Sequence, residues 1–170
     1  MNRTNQLADA ERLNLISQRV GYALWQLQEL EGVAATYLVV VARATQGMGA
    51  EQGNALLEKA LSQTFGVTVK AIIKAGKMPA ELSEPVQRLL TERNWLVHGS
   101  RASSRSAVRH ESDCSALIAR VDAIAASALY LVREFGAQTE SFVKARGVSA
   151  ETIDTEAARI LKKWHTSNAL

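Results

Sequence analysis

The sequence predicts an all-α protein, an up-and-down bundle of about five to seven helices in one domain covering residues 1–170. Three observations support this fold class. Apolar residues recur every three or four positions over long stretches, no segment shows the alternation typical of a strand, and the chain contains only two prolines. With 170 residues and 47% hydrophobic content, the chain is large enough to bury one core.

The first predicted helix is the longest. Gly21 or Gly32 could bend it, and the sequence GMG at 47–49 ends it. A straight helix of this length would leave an apolar end outside a small bundle, which favours pairing with a second copy. The residues that keep helical spacing along it are Leu13, Ile16, Val20, Leu24, Leu27, Ala34, Leu38 and Val41.

Two shorter elements follow. A helix is predicted from about Ala50 to Thr64, ending at Gly66. The next segment, VTVKAIIKAG, suits a short helix or a strand, and its ending at Gly76 favours the helix.

The segment SEPVQRLLTERNWLVHG reads as a helix with both ends marked. Ser83 is the expected N-cap, Glu84 and Pro85 suit the first turn, and Gly99 suits the position just past the end. The segment that follows, SRASSRSAVR, is rich in serine and arginine and is predicted to be a loop.

The last third of the chain predicts a long helix closed by Gly136, a short helix carrying Phe142 and Val143, and a final helix that starts at Ser149. Apolar residues mark one face of each longer helix. They are Leu117, Val121, Ile124, Ala128, Leu131 and Phe135 in the first, and Ile153, Ala157, Ile160, Leu161 and Trp164 in the second.

Bulk composition narrows the class of protein. A net charge of +3 is too mild to indicate nucleic-acid binding by itself. The single cysteine, Cys114, excludes an internal disulfide and suits the core. The N-terminus is polar, unlike a signal peptide, and the apolar run GVAATYLVVVA is too short to span a bilayer. We therefore expect a soluble cytoplasmic protein with no membrane association.

Arg93 is the residue that raises the question of function, because it lies near the centre of the apolar arc of its helix. A guanidinium stays charged, so it needs an anion inside the fold, a cleft or a second subunit. An ion pair with Glu29 or Glu31 is one interpretation, and a functional site is the other. Asn94 and His98, four residues apart on the flank of the arc, favour the site. The arc itself consists of Val86, Leu89, Leu90, Leu96 and Val97.

An arginine and a histidine together suit phosphodiester cleavage. His98 would take the proton from a ribose 2′-OH or give one to the leaving 5′-oxygen. Arg93 would stabilise charge on the phosphoryl group, and Asn94 would orient the imidazole or the phosphate. This chemistry needs no cofactor, and the sequence has no metal-binding pattern. Because cleavage uses both an acid and a base, we expect a twofold dimer that brings two such pairs into one cleft.

The segment RNWLVH resembles the Arg-x(4–6)-His signature of HEPN domains, in the common form with a polar residue, here Asn94, after the arginine. The context is also similar, because the signature ends a helix of an all-α domain with a long first helix. The resemblance implies a HEPN-like fold, RNA as substrate, and a homodimer with Arg93 and His98 at the interface.

Many members of this family are metal-independent endoribonucleases that leave a 2′,3′-cyclic phosphate. They often act as toxins or phage-defence effectors, so the resemblance also implies an antitoxin or sensor protein as partner. HEPN toxins controlled by a nucleotidyltransferase often carry tyrosine two residues after the histidine, where this chain has Ser100. This difference argues against control by tyrosine modification. The alternative function is a non-catalytic HEPN-type module that binds RNA, nucleotides or proteins.

Three arginines follow the signature directly. Arg101, Arg105 and Arg109 would track an RNA backbone, or they belong to a solvated loop, and the sequence leaves both interpretations open. His110 is interpreted as a helix-start residue.

Two further residues are assigned structural roles. Trp95 points away from the apolar arc, and packing against another helix is favoured over stacking on an RNA base. His165 receives no role, because basic residues near a helix end complement the helix dipole.

Overall fold

The computed structural model describes the backbone of residues 3–167 and the side chains of residues 5–162. All regular elements in this range are helical, which confirms the all-α prediction. The elements are α1 (Arg3–Tyr37), a π-helical segment (Leu38–Arg43), α2 (Ala50–Leu61), α3 (Phe65–Lys74), α4 (Ala80–His98), α5 (Ser100–Ala107), α6 (Glu111–Lys144) and α7 (Ala150–Ser167).

α1 and α6 form the framework of the bundle and run in the same direction. Arg19, in the middle of α1, pairs with Asp122 in the first half of α6 at 3.5 Å. Further along, the rings of Tyr37 and Phe135 pack with their centroids 5.0 Å apart. Because both pairs join positions at similar heights, the two helices lie side by side over most of their length.

α4 and α5 run against this direction. Arg93 on α4 lies beside Glu31 in the upper half of α1. Arg12, near the start of α1, donates to the carbonyl of Val108 just after α5 at 2.7 Å. The three longest segments therefore alternate in direction, as the predicted up-and-down bundle requires.

The core lies where α1, α3, α4 and α6 meet. Burial of each large side chain there contributes about 1.5–3 kcal/mol relative to exposure. Cys114 belongs to this core, as predicted. The largest fully buried side chains include Leu30, Leu38, Phe65, Ile72, Leu82, Leu89, Leu96, Ile124, Leu131 and Phe135.

α6 is long and apolar enough by composition to cross a bilayer, with a mean hydropathy of 1.6 over its most apolar window. Sequence analysis missed this property, which is also typical of a core helix. Eight side chains of α6 are buried in the bundle, so core packing accounts for its apolar face.

α1 differs from the prediction in three respects. Gly21 and Gly32 both lie inside the α-helix, and the change in helical geometry occurs later, at the π-helical segment. Leu13 and Leu24 keep the helical spacing of the apolar residues but are 51% and 36% exposed. The predicted apolar end outside the bundle is not found, because Ile16 and Ala23 in the same stretch are buried. The large apolar side chains that α1 exposes on its outer faces are Leu7, Leu13, Leu15, Tyr22, Leu24 and Trp25.

The boundary between α2 and α3 was also predicted wrongly. α2 ends at Leu61, and Gly66 lies in the first turn of α3. The reason is Thr64, which takes an extended backbone as the N-cap of α3. The helical interpretation of VTVKAIIKAG is confirmed, and Gly76 follows it with a positive φ of 64° that glycine adopts without strain.

α4 begins one turn earlier than predicted. Its N-cap is Pro79, so Ser83 is an ordinary helical residue and Pro85 lies inside the helix. Pro85 removes one helical hydrogen bond, and the carbonyl left without a partner belongs to Glu81, an exposed residue. The predicted end of the helix at Gly99 is confirmed.

The C-terminal third holds one long helix where two were predicted. α6 continues through Gly136 and includes Phe142 and Val143. A Cβ at Gly136 would meet nothing within 4 Å, so this glycine marks no special backbone requirement.

α7 starts as predicted, with the Ser149 hydroxyl accepting from the backbone N–H of Thr152 at 3.1 Å. On its predicted apolar face, Ile160 and Leu161 are 40% and 52% exposed. Trp164 and His165 lie outside the described side chains.

Candidate functional site at the end of α4

Arg93 is half-buried and has an acidic partner inside the fold. Its guanidinium donates to Oε1 of Glu31 on α1 at 3.3 Å, and the two side chains are 26% and 31% exposed. Glu31 is therefore the partner, and Glu29 accepts instead from the indole of Trp25. This single contact uses one of the several N–H donors of the guanidinium. The others make no hydrogen bond within the described part of the chain.

Arg93 also lines a cleft between α3 and α4. The cleft has a volume of about 370 Å³, and Asn94 lines it as well. The guanidinium is therefore held by an internal carboxylate without being sealed in the core. Neither of the two sequence-based interpretations of Arg93 excludes the other.

Asn94 and His98 lie on the flank of α4, as the helical spacing predicted. Both are exposed, and His98 is the last residue of the helix. Within residues 5–162, neither side chain makes a hydrogen bond or an ion pair. An imidazole in this position is open to a substrate from solvent.

The end of α4 is fixed from the side that faces α6. Gly99 donates its backbone N–H to the carbonyl of Trp95 at 2.7 Å. A Cβ on Gly99 would lie 2.9 Å from Cδ1 of Trp95, which is closer than real side chains come. Glycine is therefore required here for space.

Trp95 is in turn held by α6. The Arg120 guanidinium lies 3.4 Å from the centroid of its ring, a cation–π contact. Both Oε atoms of Glu92 accept from Arg120, at 2.7 and 3.0 Å. These hydrogen bonds raise the pKa of Arg120. The packing role predicted for Trp95 is confirmed.

The predicted loop after Gly99 is wrong, because residues 100–107 form α5. Two serines explain the difference. The hydroxyl of Ser100 donates to the carbonyl of Leu96 at 2.5 Å, and that of Ser104 donates to the carbonyl of Ser100 at 2.8 Å. Their polar groups are thereby satisfied within the helix and do not compete with it. Ser100 is buried, so serine here belongs to the inner face.

α5 continues the helical phase of α4. Gly99 keeps right-handed helical angles, φ −107° and ψ −25°, and the buried positions continue across it at Leu96, Ser100 and Ala107. The exposed face continues in the same way. Four exposed residues on it follow the spacing of one helix face, and we call them the polar stripe: Asn94, His98, Arg101 and Arg105.

The arginines after the signature are all exposed. Arg101 and Arg105 lie on α5, and Arg109 lies in the turn that follows. None of the three pairs with a carboxylate in the described part of the chain. His110 occupies the N-cap position of α6, which confirms it as a helix-start residue.

Sequence reasoning missed the cleft residues outside α4, of which Lys70 on α3 carries a charge. No motif marks it, because its place beside Asn94 depends on how α3 packs on α4. Among the described residues, no group of three or more His, Cys, Asp or Glu side chains is arranged to hold a metal ion.

No protein-family model matches the chain, and no curated protein or solved structure is significantly similar to it. Functional interpretation therefore depends on the chemistry of the residues at this site.

Proposed function

We propose that this protein is a metal-independent endoribonuclease of HEPN type that acts as a homodimer in the cytoplasm, as a toxin or a phage-defence effector. The observation that carries the proposal is His98, exposed at the end of α4 in one stripe with Asn94, Arg101 and Arg105. None of these four side chains has a hydrogen-bond or ion-pair partner among residues 5–162. Arg93 lies beside them, and its guanidinium makes only one hydrogen bond with the described residues. An antitoxin or sensor protein would control the activity.

The reaction follows from the proton chemistry of these groups. His98 removes the proton of the ribose 2′-OH, and O2′ attacks the adjacent phosphorus. The P–O5′ bond breaks, and the leaving 5′-oxygen takes a proton from His98 of the partner subunit. The products are a 2′,3′-cyclic phosphate and a free 5′-OH. Arg93 stabilises the charge on the phosphoryl oxygens, and Asn94 orients the phosphate or the imidazole.

Two features support a dimer. Four exposed apolar side chains of α1, Leu7, Leu15, Tyr22 and Trp25, fall by helical spacing on one side of the helix, which suits a covered surface. Val97, next to His98, is 45% exposed, although it belongs to the apolar arc of α4. A second copy that covers Val97 would also bring its own His98 close to the first.

The ion pair between Arg93 and Glu31 favours a second candidate function. An arginine with a partner inside the fold has a structural role even without a substrate. In this alternative the chain is a non-catalytic HEPN-type module, and the polar stripe binds RNA, nucleotides or a protein without cleaving a bond.

The decisive experiment incubates the purified protein, free of any inhibitor, with RNA in the presence of a metal chelator. We expect cleavage with 2′,3′-cyclic phosphate ends. His98→Ala and Arg93→Ala should each lower the rate by about 10²-fold or more while the protein stays folded. His110→Ala is the matched control and should cleave like the parent. RNA binding without any cleavage would favour the binding module, and equal cleavage by His98→Ala would reject the enzyme.

A further inference from the structure

The cleft between α3 and α4 holds two side chains with N–H donors that the proposed reaction does not use, Lys70 and Gln87. Lys70 from α3 and Gln87, Arg93 and Asn94 from α4 line it. Two of these side chains are cations and two are amides, and no carboxylate of the described residues lines the cleft. Each of the four side chains can present N–H donors to the cleft.

Lys70 has no evident structural role in the cleft. It is exposed, and it makes no ion pair with the described residues. Arg93, by contrast, already has Glu31 as a partner. A cleft with one unpaired ammonium and surplus guanidinium and amide donors is suited to an anion with several oxygens.

We propose that this cleft binds a backbone phosphate of the RNA next to the scissile phosphate, with Lys70 as its main contact. The inference rests on the proposed function, because Arg93 and Asn94 belong both to the cleft and to the candidate catalytic site. RNA would run along the arginines of α5, cross His98 and reach α3. Contacts of this kind position the strand and carry no sequence preference.

Gly66 provides an independent test of the same cleft. A Cβ at this position would lie 3.7 Å from Cδ2 of Leu90, an ordinary van der Waals contact. Alanine therefore fits the fold, and its higher helix propensity adds up to about 1 kcal/mol of stability. Because Gly66 and Leu90 both line the cleft, the added methyl group narrows it. Urea denaturation of Gly66→Ala should show no loss of stability, so that a loss of binding in this variant reports on the cleft.

The experiment measures binding of a short single-stranded 2′-O-methyl RNA, which cannot be cleaved, over a range of salt concentrations. We expect Lys70→Ala to weaken binding several-fold and to lower the slope of log affinity against log salt by about 1. Lys74→Ala, one turn further along α3 and outside the cleft, is the matched control and should bind like the parent. Gly66→Ala should also weaken binding, whereas Gly136→Ala on α6 should not.

The outcomes separate this inference from the proposed function. If Lys70→Ala and Lys74→Ala bind alike, or if the protein does not bind the oligonucleotide, the cleft is not a phosphate site, whether or not the parent cleaves RNA. If binding depends on Lys70 but natural RNA is never cleaved, the phosphate site stands and the ribonuclease proposal falls.

Discussion

The two sides of α4 use charge differently. On the side that faces α6, Arg120 stacks on Trp95 and both of its hydrogen bonds go to Glu92. On the other side, the charged members of the polar stripe have no partner in the described part of the chain. The first arrangement is complete within the molecule. The second leaves Arg101 and Arg105 one turn apart as like charges, which costs about 0.2–0.5 kcal/mol until an anion arrives.

Under the proposed function, the contrast assigns a structural role to the charges on the packed side and RNA binding to the charges of the stripe. Changes on the packed side should alter stability, and changes on the stripe should alter RNA binding. A variant on the packed side that alters RNA binding, or a variant on the stripe that alters stability, would show that the two sides are not independent.

The largest effect on stability is expected for Gly99→Ala on the packed side. The added methyl group would overlap the indole of Trp95, so we expect the free energy of unfolding to fall by about 1–3 kcal/mol. Urea denaturation measures this change. Gly136→Ala is the matched control, and because its methyl group would meet nothing, it should raise stability by about 0.5–1 kcal/mol. Equal stability of Gly99→Ala and the parent would mean that Trp95 does not pack on this glycine.

The next effect is expected on the stripe. The double variant Arg101→Ala/Arg105→Ala should keep its unfolding free energy within about 0.5 kcal/mol. Its salt slope for RNA binding should drop by about 2, because two phosphate contacts are lost.

The control for that experiment is Arg88→Ala/Arg159→Ala, which removes two exposed arginines that each pair with a nearby glutamate. This control should retain the parent slope. The same drop in both double variants would mean that net charge alone attracts RNA and that the stripe is not a defined site.

The smallest effect concerns the pair of Arg93 and Glu31. Both side chains are partly exposed and share a single contact, so a double-mutant cycle of stability should give a coupling of less than about 1 kcal/mol. Glu31→Gln should still cleave RNA, whereas Arg93→Gln should not. A coupling of several kcal/mol, with cleavage retained in Arg93→Gln, would identify the pair as the sole purpose of the arginine.

Much of α4 could be predicted from sequence because its properties depend on residues within one helix. The spacing predicted its end at Gly99, the position of Asn94 and His98 on the flank, and the apolar arc except for Val97, which is 45% exposed. The partner of Arg93 was left open between Glu29 and Glu31. Helical periodicity favours Glu31 as the partner, because Glu31 lies one turn from the buried Leu27, whereas Glu29 lies on a different face.

The missed features depend on contacts between segments. Composition indicated a loop after Gly99, because it does not reveal that Ser100 faces the core and satisfies its hydroxyl on the helix. Gly136 was interpreted as a helix end, although the buried face of α6 outweighs its low helix propensity. Lys70 had no signal in sequence, since only the packing of α3 on α4 gives it a place in the cleft.

The exposed apolar side chains of α1 have a consequence for how the protein behaves in solution. Exposed leucines together with Tyr22 and Trp25 gain burial only when another molecule covers them. If that molecule is a second copy, mass action makes the melting temperature climb as the sample is concentrated. A melting temperature that does not change on dilution would mean that a second copy does not cover these side chains.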